Sequence, residues 1–313
     1  MNLILAGSGA FGVKHLDGLK VIADANVVSL VGRQIESTST VAQQYGIPHV
    51  TTELTEALAL PGVDAVILAT PTAAHAAQAL QCLHAGKHVQ IEMPLAESWA
   101  DVMEVARVQQ QTGLICMVGH TRRFNPSHQW VHKRIRRGEL SILQMDVQTY
   151  LPHLTNSNAA GKARSSIDPL LWHHAAHTVD IFQYQTADDI TIARALQGPI
   201  HRELGMSMDM SIQLKTRRGA ICTLSLSFNN DGPIGTVFRY ICDNGTYIAR
   251  DDDLTNGRDE HIDVSAIDVS MNAIELQDRE FLSAVRAQRE PNASVQQVLP
   301  CYRVLNDLEK SLA

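Results

Sequence analysis

The stretch that most constrains this chain is its first, Asn2 to Val21, NLILAGSGAFGVKHLDGLKV. Leu3, Ile4 and Leu5 form a short apolar run of the kind a buried parallel strand needs. Gly7, Gly9 and Gly12 follow at once in G-x-G-x-x-G spacing, and Ala10 and Phe11 stand where a helical pattern opens. Each glycine has a steric purpose in such a unit. Gly7 makes the tight turn, Gly9 lets backbone approach a pyrophosphate, and Gly12 lets helix and strand pack closely. The helix start, with unpaired N–H groups and a partial positive charge, then holds the pyrophosphate. Three glycines alone could be an ordinary turn. A strand before them and a helix after them favour a dinucleotide site at Gly7, Gly9, Ala10, Phe11 and Gly12.

A second apolar run, 27–31, ends in Gly32 and Arg33, roughly 20 residues past Gly12. An acid at that place would bond the ribose 2′-hydroxyl of NAD. This chain has none there. A small residue followed by arginine leaves room for a 2′-phosphate and supplies a bidentate donor for it, unless Arg33 is merely a solvated loop residue. The expected cofactor is NADP, with NAD as a second one accepted.

The strand–helix alternation continues with a helix at 37–45 and a strand at 65–69 closing in Thr70-Pro71-Thr72. Pro71 stops that strand at its carboxyl end, where ligands bind in parallel sheets. A helix at 74–85 leads to a strand at 89–91 and the turn Glu92-Met93-Pro94, then to a helix at 98–112 and a strand at 115–118. This rhythm predicts a doubly wound parallel sheet of Rossmann type over residues 1–120. Past Gly119 the pattern changes. After the linker 120–126 and a helix ending near Gly138, strands are predicted at 142–150, 190–196, 208–215, 220–228, 236–242 and 246–250, several joined by tight turns. Helices are predicted at 170–184, 273–287 and 294–312. Residues 121–313 thus read as an α+β domain with a large, mostly antiparallel sheet for substrate binding and oligomerisation, its last helix free to pack on the first domain.

Composition narrows the function classes. At 313 residues the chain can build two cores, and 45% hydrophobic with 19% charged residues describes a globular protein. A net charge of −7 argues against nucleic acid or an anionic membrane as partner. No apolar run reaches membrane-spanning length, and the N-terminus lacks a signal-peptide pattern. Cys82, Cys116, Cys222, Cys242 and Cys301 are scattered and never in C-x-x-C spacing, as expected of reduced thiols in a cytoplasmic protein.

Leu171–Asp180, LWHHAAHTVD, is the densest group of titratable residues. On an α-helix His173 and His177 lie one turn apart on one face, Asp180 lies a turn further, and His174 points elsewhere, towards the side of Thr178. A neutral imidazole can take the proton of an alcohol while hydride leaves the same carbon, and a carboxylate on its other nitrogen would orient it. Histidines bonded within a helix–sheet interface are the alternative. A zinc site of H-E-x-x-H type needs glutamate where His174 stands, so no metal is expected.

The G-x-G-x-x-G unit, Thr70-Pro71 with His75, the Glu92-x-Pro94 turn and the C-terminal sheet together resemble the glucose–fructose oxidoreductase/inositol dehydrogenase/rhizopine catabolism family. The resemblance spans nearly the whole chain. It implies an NAD(P)-dependent oxidoreductase with Thr70, Pro71, His75, Glu92 and Met93 around the cofactor. The family usually has lysine where Met93 stands and aspartate where His173 stands, while His177 matches its catalytic histidine. Residues 119–128, 171–180 and 225–233 are similar to a branch of that family acting on a dicarboxylate. It prefers NADP and oxidises a cyclic hemiacetal to the lactone in the breakdown of aromatic compounds. On this resemblance His177 is the base, with His173 in the catalytic pair. Arg122, Arg123, Asn125, Arg164, His173 and His174 are the groups expected to hold a small dicarboxylate. A homodimer is implied as well. A sugar or polyol dehydrogenase of the same fold and a non-catalytic dinucleotide-sensing regulator are the alternatives.

Overall fold

A computed structural model describes residues 1–152, 169–265 and 273–312. The chain divides into two units, Met1–Thr121 with Ser270–Leu299, and Arg122–Val269 with Pro300–Ala313.

The first unit is built on a six-stranded parallel sheet of β1 (Asn2–Ala6), β2 (Asn26–Val31), β3 (His49–Thr51), β4 (Ala65–Leu68), β5 (His88–Glu92) and β6 (Cys116–Gly119). The strand order is β3-β2-β1-β4-β5-β6, so the winding reverses between β1 and β4. The crevice at the carboxyl ends of those two strands is the place where such sheets take ligands. Leu3–Ala6 and Ala65–Leu68 are wholly buried, which is why β1 and β4 read as continuous apolar runs. The connecting helices are α1 (Ala10–Lys20), α2 (Ile35–Tyr45), α3 (Leu54–Leu58), α4 (Thr72–His84) and α5 (Trp99–Thr112). Ser98 caps α5 by accepting from the Asp101 N–H, and Gly113 ends it in the left-handed conformation. β3 and α3 escape the sequence reading because three residues and one turn are too short to show a period. The returning segment is not the last helix alone. α8 (Ala273–Ala287) packs on α1, and the first turn of α9 (Val295–Leu312) also belongs to this unit. Gly18 permits that approach, since a Cβ there would stand 3.3 Å from the Glu275 Cα.

The second unit holds a seven-stranded sheet in the order β13-β12-β11-β7-β10-β9-β8. Its strands are β7 (Ile142–Tyr150), β8 (Ile190–Gln197), β9 (Asp209–Thr216), β10 (Ile221–Ser227), β11 (Gly235–Cys242), β12 (Gly245–Arg250) and β13 (Asp253–Asn256). All pairings are antiparallel except β7 with β10. β9 shows the expected alternation: Met210, Ile212 and Leu214 point inward, and Ser211, Gln213 and Lys215 outward. α6 (Pro126–Arg136) and α7 (Ala176–Thr186) pack on the inner face, where Phe182, Phe238 and Tyr240 are fully buried. β13 went unread because its four polar-edged residues follow an acidic turn. The helix predicted at 170–184 is two elements, a π-helical turn at Leu170–Ala175 followed by α7. Among the described residues no helix is long and apolar enough to cross a membrane.

Candidate functional site

The glycine loop has the geometry its spacing predicts. Gly7 has φ +115°, and a Cβ there would collide with the Ala69 carbonyl, while one on Gly12 would collide with the carbonyl of Gly7. Gly9 is the N-cap of α1, with no side-chain cap on the helix and nothing within 4 Å of where a Cβ would stand. Open donors above a cleared space fit a pyrophosphate. Ala10 and Phe11 are exposed beside it. At Gly32 a Cβ would run into the hydroxyls of Ser8 and Thr38, which lie 3.1 Å apart, so the loops after β1 and β2 meet there. Arg33 is exposed and makes no hydrogen bond or ion pair among the described residues.

Around the carboxyl ends of β4 and β5 the side chains turn inward. The Thr70 hydroxyl donates to Gln78 Oε1 at 2.6 Å, and Pro71 is the N-cap of α4. His75, expected to meet the cofactor, is buried and spans two turns of backbone. Its Nδ1 lies 2.7 Å from the Pro94 carbonyl and its Nε2 2.8 Å from that of Thr70. Both partners are backbone carbonyls, so the ring ties the turn after β4 to the turn after β5. Met93 is buried at the same turn.

Glu92 also faces inward, accepting from Gln277 Nε2 at 2.7 Å and from His15 Nε2 at 3.2 Å. His15 Nδ1 lies 2.9 Å from both oxygens of Asp278, which accepts from Gln90 Nε2 at 2.6 Å as well. Burial pulls the His15 imidazole down, but Asp278 and Glu92 together carry its pKa up to about 10. Burial pushes Glu92 up, but the bond and charge of His15 together with the bond from Gln277 outweigh it, holding the carboxyl below its ordinary value. Sequence reading missed His15, Gln277 and Asp278. The available signal was Gln90 and Glu92, two polar residues in a strand buried on both faces.

In the second unit the π-helical turn rearranges the histidines. His173 and His177 stand edge to face with ring centroids 6.1 Å apart. His174 does not point away as an α-helix would direct it, because the wider turn brings its ring to 4.8 Å from His173. The Phe228 ring also stands beside His174, at 5.1 Å and nearly perpendicular. All three histidines are half-buried, whereas Leu171, Trp172, Ala175 and Ala176 around them are buried. Among the described residues no group of three or more His, Cys, Asp or Glu is placed to hold a metal ion.

The expected carboxylate binders divide. Arg123 is buried and donates from Nε and Nη2 to the two oxygens of Asp180, at 2.8 and 2.6 Å. Its guanidinium also lies 4.7 Å over the Tyr184 ring. These contacts make it a support of α7 and give Asp180 a partner other than the one the sequence suggested. Arg122 Nη1 reaches Asp251 at 3.1 Å, which leaves the rest of its fork uncommitted to that ion pair. Asn125 Nδ2 donates to Asp252 at 2.6 Å, while its buried Oδ1 has no hydrogen-bond partner among the described residues. Arg164 lies outside the described residues.

Comparison with known proteins agrees with this layout. Residues 1–120 match the oxidoreductase family, NAD-binding Rossmann fold, and residues 126–268 match bacterial oxidoreductases, C-terminal. Over 312 residues the chain is 64% identical to 4-carboxy-2-hydroxymuconate-6-semialdehyde dehydrogenase of Sphingobium sp. (strain NBRC 103272 / SYK-6), covering 100% of this chain and 99% of that one. The chain belongs to the Gfo/Idh/MocA oxidoreductase family. Solved structures share its fold. UDP-N-acetylglucosamine 3-dehydrogenase from Acidithiobacillus ferrooxidans superposes with a TM-score of 0.84 at 19% identity, covering 100% of this chain and 97% of the other. An oxidoreductase from Agrobacterium radiobacter, solved with NAD+, L-tartaric acid and magnesium, gives 0.84 at 19% identity over 99% and 96%. As a Gfo/Idh/MocA member the protein is an oxidoreductase with an NAD-binding Rossmann unit, to which the open α1 terminus and the Gly9 gap correspond.

Proposed function

We propose that this protein is an NADP-dependent dehydrogenase of protocatechuate 4,5-cleavage. It oxidises the cyclic hemiacetal of 4-carboxy-2-hydroxymuconate-6-semialdehyde to 2-pyrone-4,6-dicarboxylate. The observation that carries the reading is the trio His173, His174 and His177, half-buried and in ring contact, in a chain 64% identical end to end to a dehydrogenase of that substrate. Arg33, exposed beside the glycine loop and without a partner among the described residues, supports NADP over NAD.

When bound at the glycine loop, NADP+ would supply the acceptor for the hydride on the hemiacetal carbon. His177 takes the proton from the hydroxyl on that carbon, so loss of C–H and O–H bonds leaves the lactone carbonyl. His173 and His174 supply N–H donors to the substrate carboxylates, and Arg122 supplies a cation where desolvated anions need one. Asn125 adds an amide whose buried oxygen has no hydrogen-bond partner among the described residues. Arg123 holds Asp180 and through it the start of α7. The outward face of the second sheet, with Ser211, Gln213 and Lys215 on it, offers a surface for a homodimer, to be checked by light scattering.

The test is a substrate panel followed by reduced-nicotinamide absorbance, with the product identified by mass. NADP+ with the semialdehyde should give the pyrone dicarboxylate, and inositols and sugars should give no turnover. Turnover of the polyols instead would reassign the enzyme, and turnover of nothing would favour a regulator.

A further inference from the structure

The glycine loop and Arg33 lie on the β1–β2–β3 half of the first sheet, so they take the adenosine and pyrophosphate end of a dinucleotide. The nicotinamide end then falls to the β4–β5–β6 half. Its central strand, β5, ends in the turn Glu92-Met93-Pro94. How firmly that turn is held decides how firmly the reacting ring is placed.

His15 stands at the centre of the grip. It lies on α1, six residues beyond Gly9, so the helix that meets the pyrophosphate also carries it. Its Nε2 reaches Glu92 at 3.2 Å and its Nδ1 reaches Asp278 of α8 at 2.9 Å, with all three side chains buried. Gln277 and Gln90 complete the cluster by donating to Glu92 and Asp278. Gly119 leaves the carboxylate its room, since a Cβ there would stand 2.6 Å from Glu92 Oε1. An imidazolium bonded to carboxylates on two different elements fixes direction as well as distance.

We propose that His15 is a positioning residue for the nicotinamide end of the cofactor. It ties the Glu92-Met93-Pro94 turn to the pyrophosphate helix α1 and, through Asp278, to α8. The proposal rests on the dinucleotide-dehydrogenase reading above. It separates His15 from a group that only stabilises the fold, because the adenosine end lies on strands His15 does not grip.

Two near-isosteric variants divide its two bonds. In His15→Asn the amide takes the place of Nδ1, keeping Asp278 and releasing Glu92. In His15→Gln it takes the place of Nε2 and keeps Glu92. Affinities for NADP+ and for its nicotinamide-free fragment, 2′-phospho-ADP-ribose, are measured by calorimetry on the folded proteins. One lost charged hydrogen bond predicts that His15→Asn weakens NADP+ about tenfold and the fragment less than about twofold. His15→Gln should hold NADP+ within about threefold. Equal weakening of both ligands by His15→Asn, or of neither, overturns the proposal. Should the His15 variants not fold, Gly119→Ala makes the same comparison by pressing on Glu92 from β6, and an unchanged NADP+ affinity there overturns it. A parent protein that binds neither ligand would remove the cofactor reading and this proposal with it, whereas binding without turnover of the semialdehyde would touch only the substrate assignment.

Discussion

Arg123 meets Asp180 along its edge, Nε to Oδ2 at 2.8 Å and Nη2 to Oδ1 at 2.6 Å, with both side chains buried. Asp180 is three residues past His177 on α7, so the ion pair fixes the stretch of helix that carries the proposed base. Removing one member of such a pair strands a buried charge, at a cost of about 3–5 kcal/mol. Asp180→Asn is expected to lower the unfolding free energy by about that amount in urea titrations and to reduce kcat in the fraction that remains folded. Arg123→Lys keeps the charge but loses the fork, and should cost about half as much. A lysine variant as stable and active as the parent would show that only charge matters at this position.

The dinucleotide half of the first unit was legible because its signals are local. Gly7, Gly9 and Gly12 sit within six residues of one another, and each excludes a Cβ or leaves a gap for a ligand. The strands of the second sheet other than β13 were legible for the same reason, through alternation and glycine turns. What the sequence hid was pairing at a distance. His15 and Asp278 are 263 residues apart, and nothing near either names the other. Glu92 and His75, expected beside the cofactor, also have side chains that bond buried partners and backbone, which no local pattern announced. The histidine group was found, but its geometry was drawn on an α-helix. The π-helical turn, which no local residue pattern announced, moved His174 to the side of His173.

Arg33 governs cofactor choice in the proposed reading. It is exposed, unpartnered among the described residues, and follows a glycine at the end of β2, where an acid would prefer a free 2′-hydroxyl. Arg33→Ala should raise the KM for NADP about ten- to a hundredfold, the worth of one charged hydrogen bond, and change that for NAD little. Equal effects on both cofactors would show that Arg33 only faces solvent.

His177 and His173 should separate kinetically. Loss of a general base costs about 10²–10⁴ in rate, so His177→Gln should cut kcat by that order with NADP+ binding unchanged. His173→Ala, as removal of a substrate contact, should act chiefly on the KM for the dicarboxylate. The acid limb of the kcat/KM profile should disappear in His177→Gln alone. If it persists there and disappears in His173→Gln, the two roles are exchanged.

The buried cluster makes stability depend on alkaline pH. With Asp278 and Glu92 beside it, His15 has its folded-state pKa raised to about 10, against 6.5 for an ordinary imidazole. Below about pH 6.5 folded and unfolded chains both hold the proton, and the cluster's contribution is fully present. Between that value and about pH 10 the folded protein keeps the proton and the unfolded one releases it, so stability falls as pH rises, by up to about 1.4 kcal/mol per unit. Urea titrations at pH 7, 8 and 9 should show this decline in the parent. His15→Gln should start lower at pH 7, because it leaves two buried carboxylates without their cation, and should decline less steeply thereafter. A parent and variant with parallel slopes would mean that His15 is neutral in the folded state and joins its carboxylates by hydrogen bonds alone.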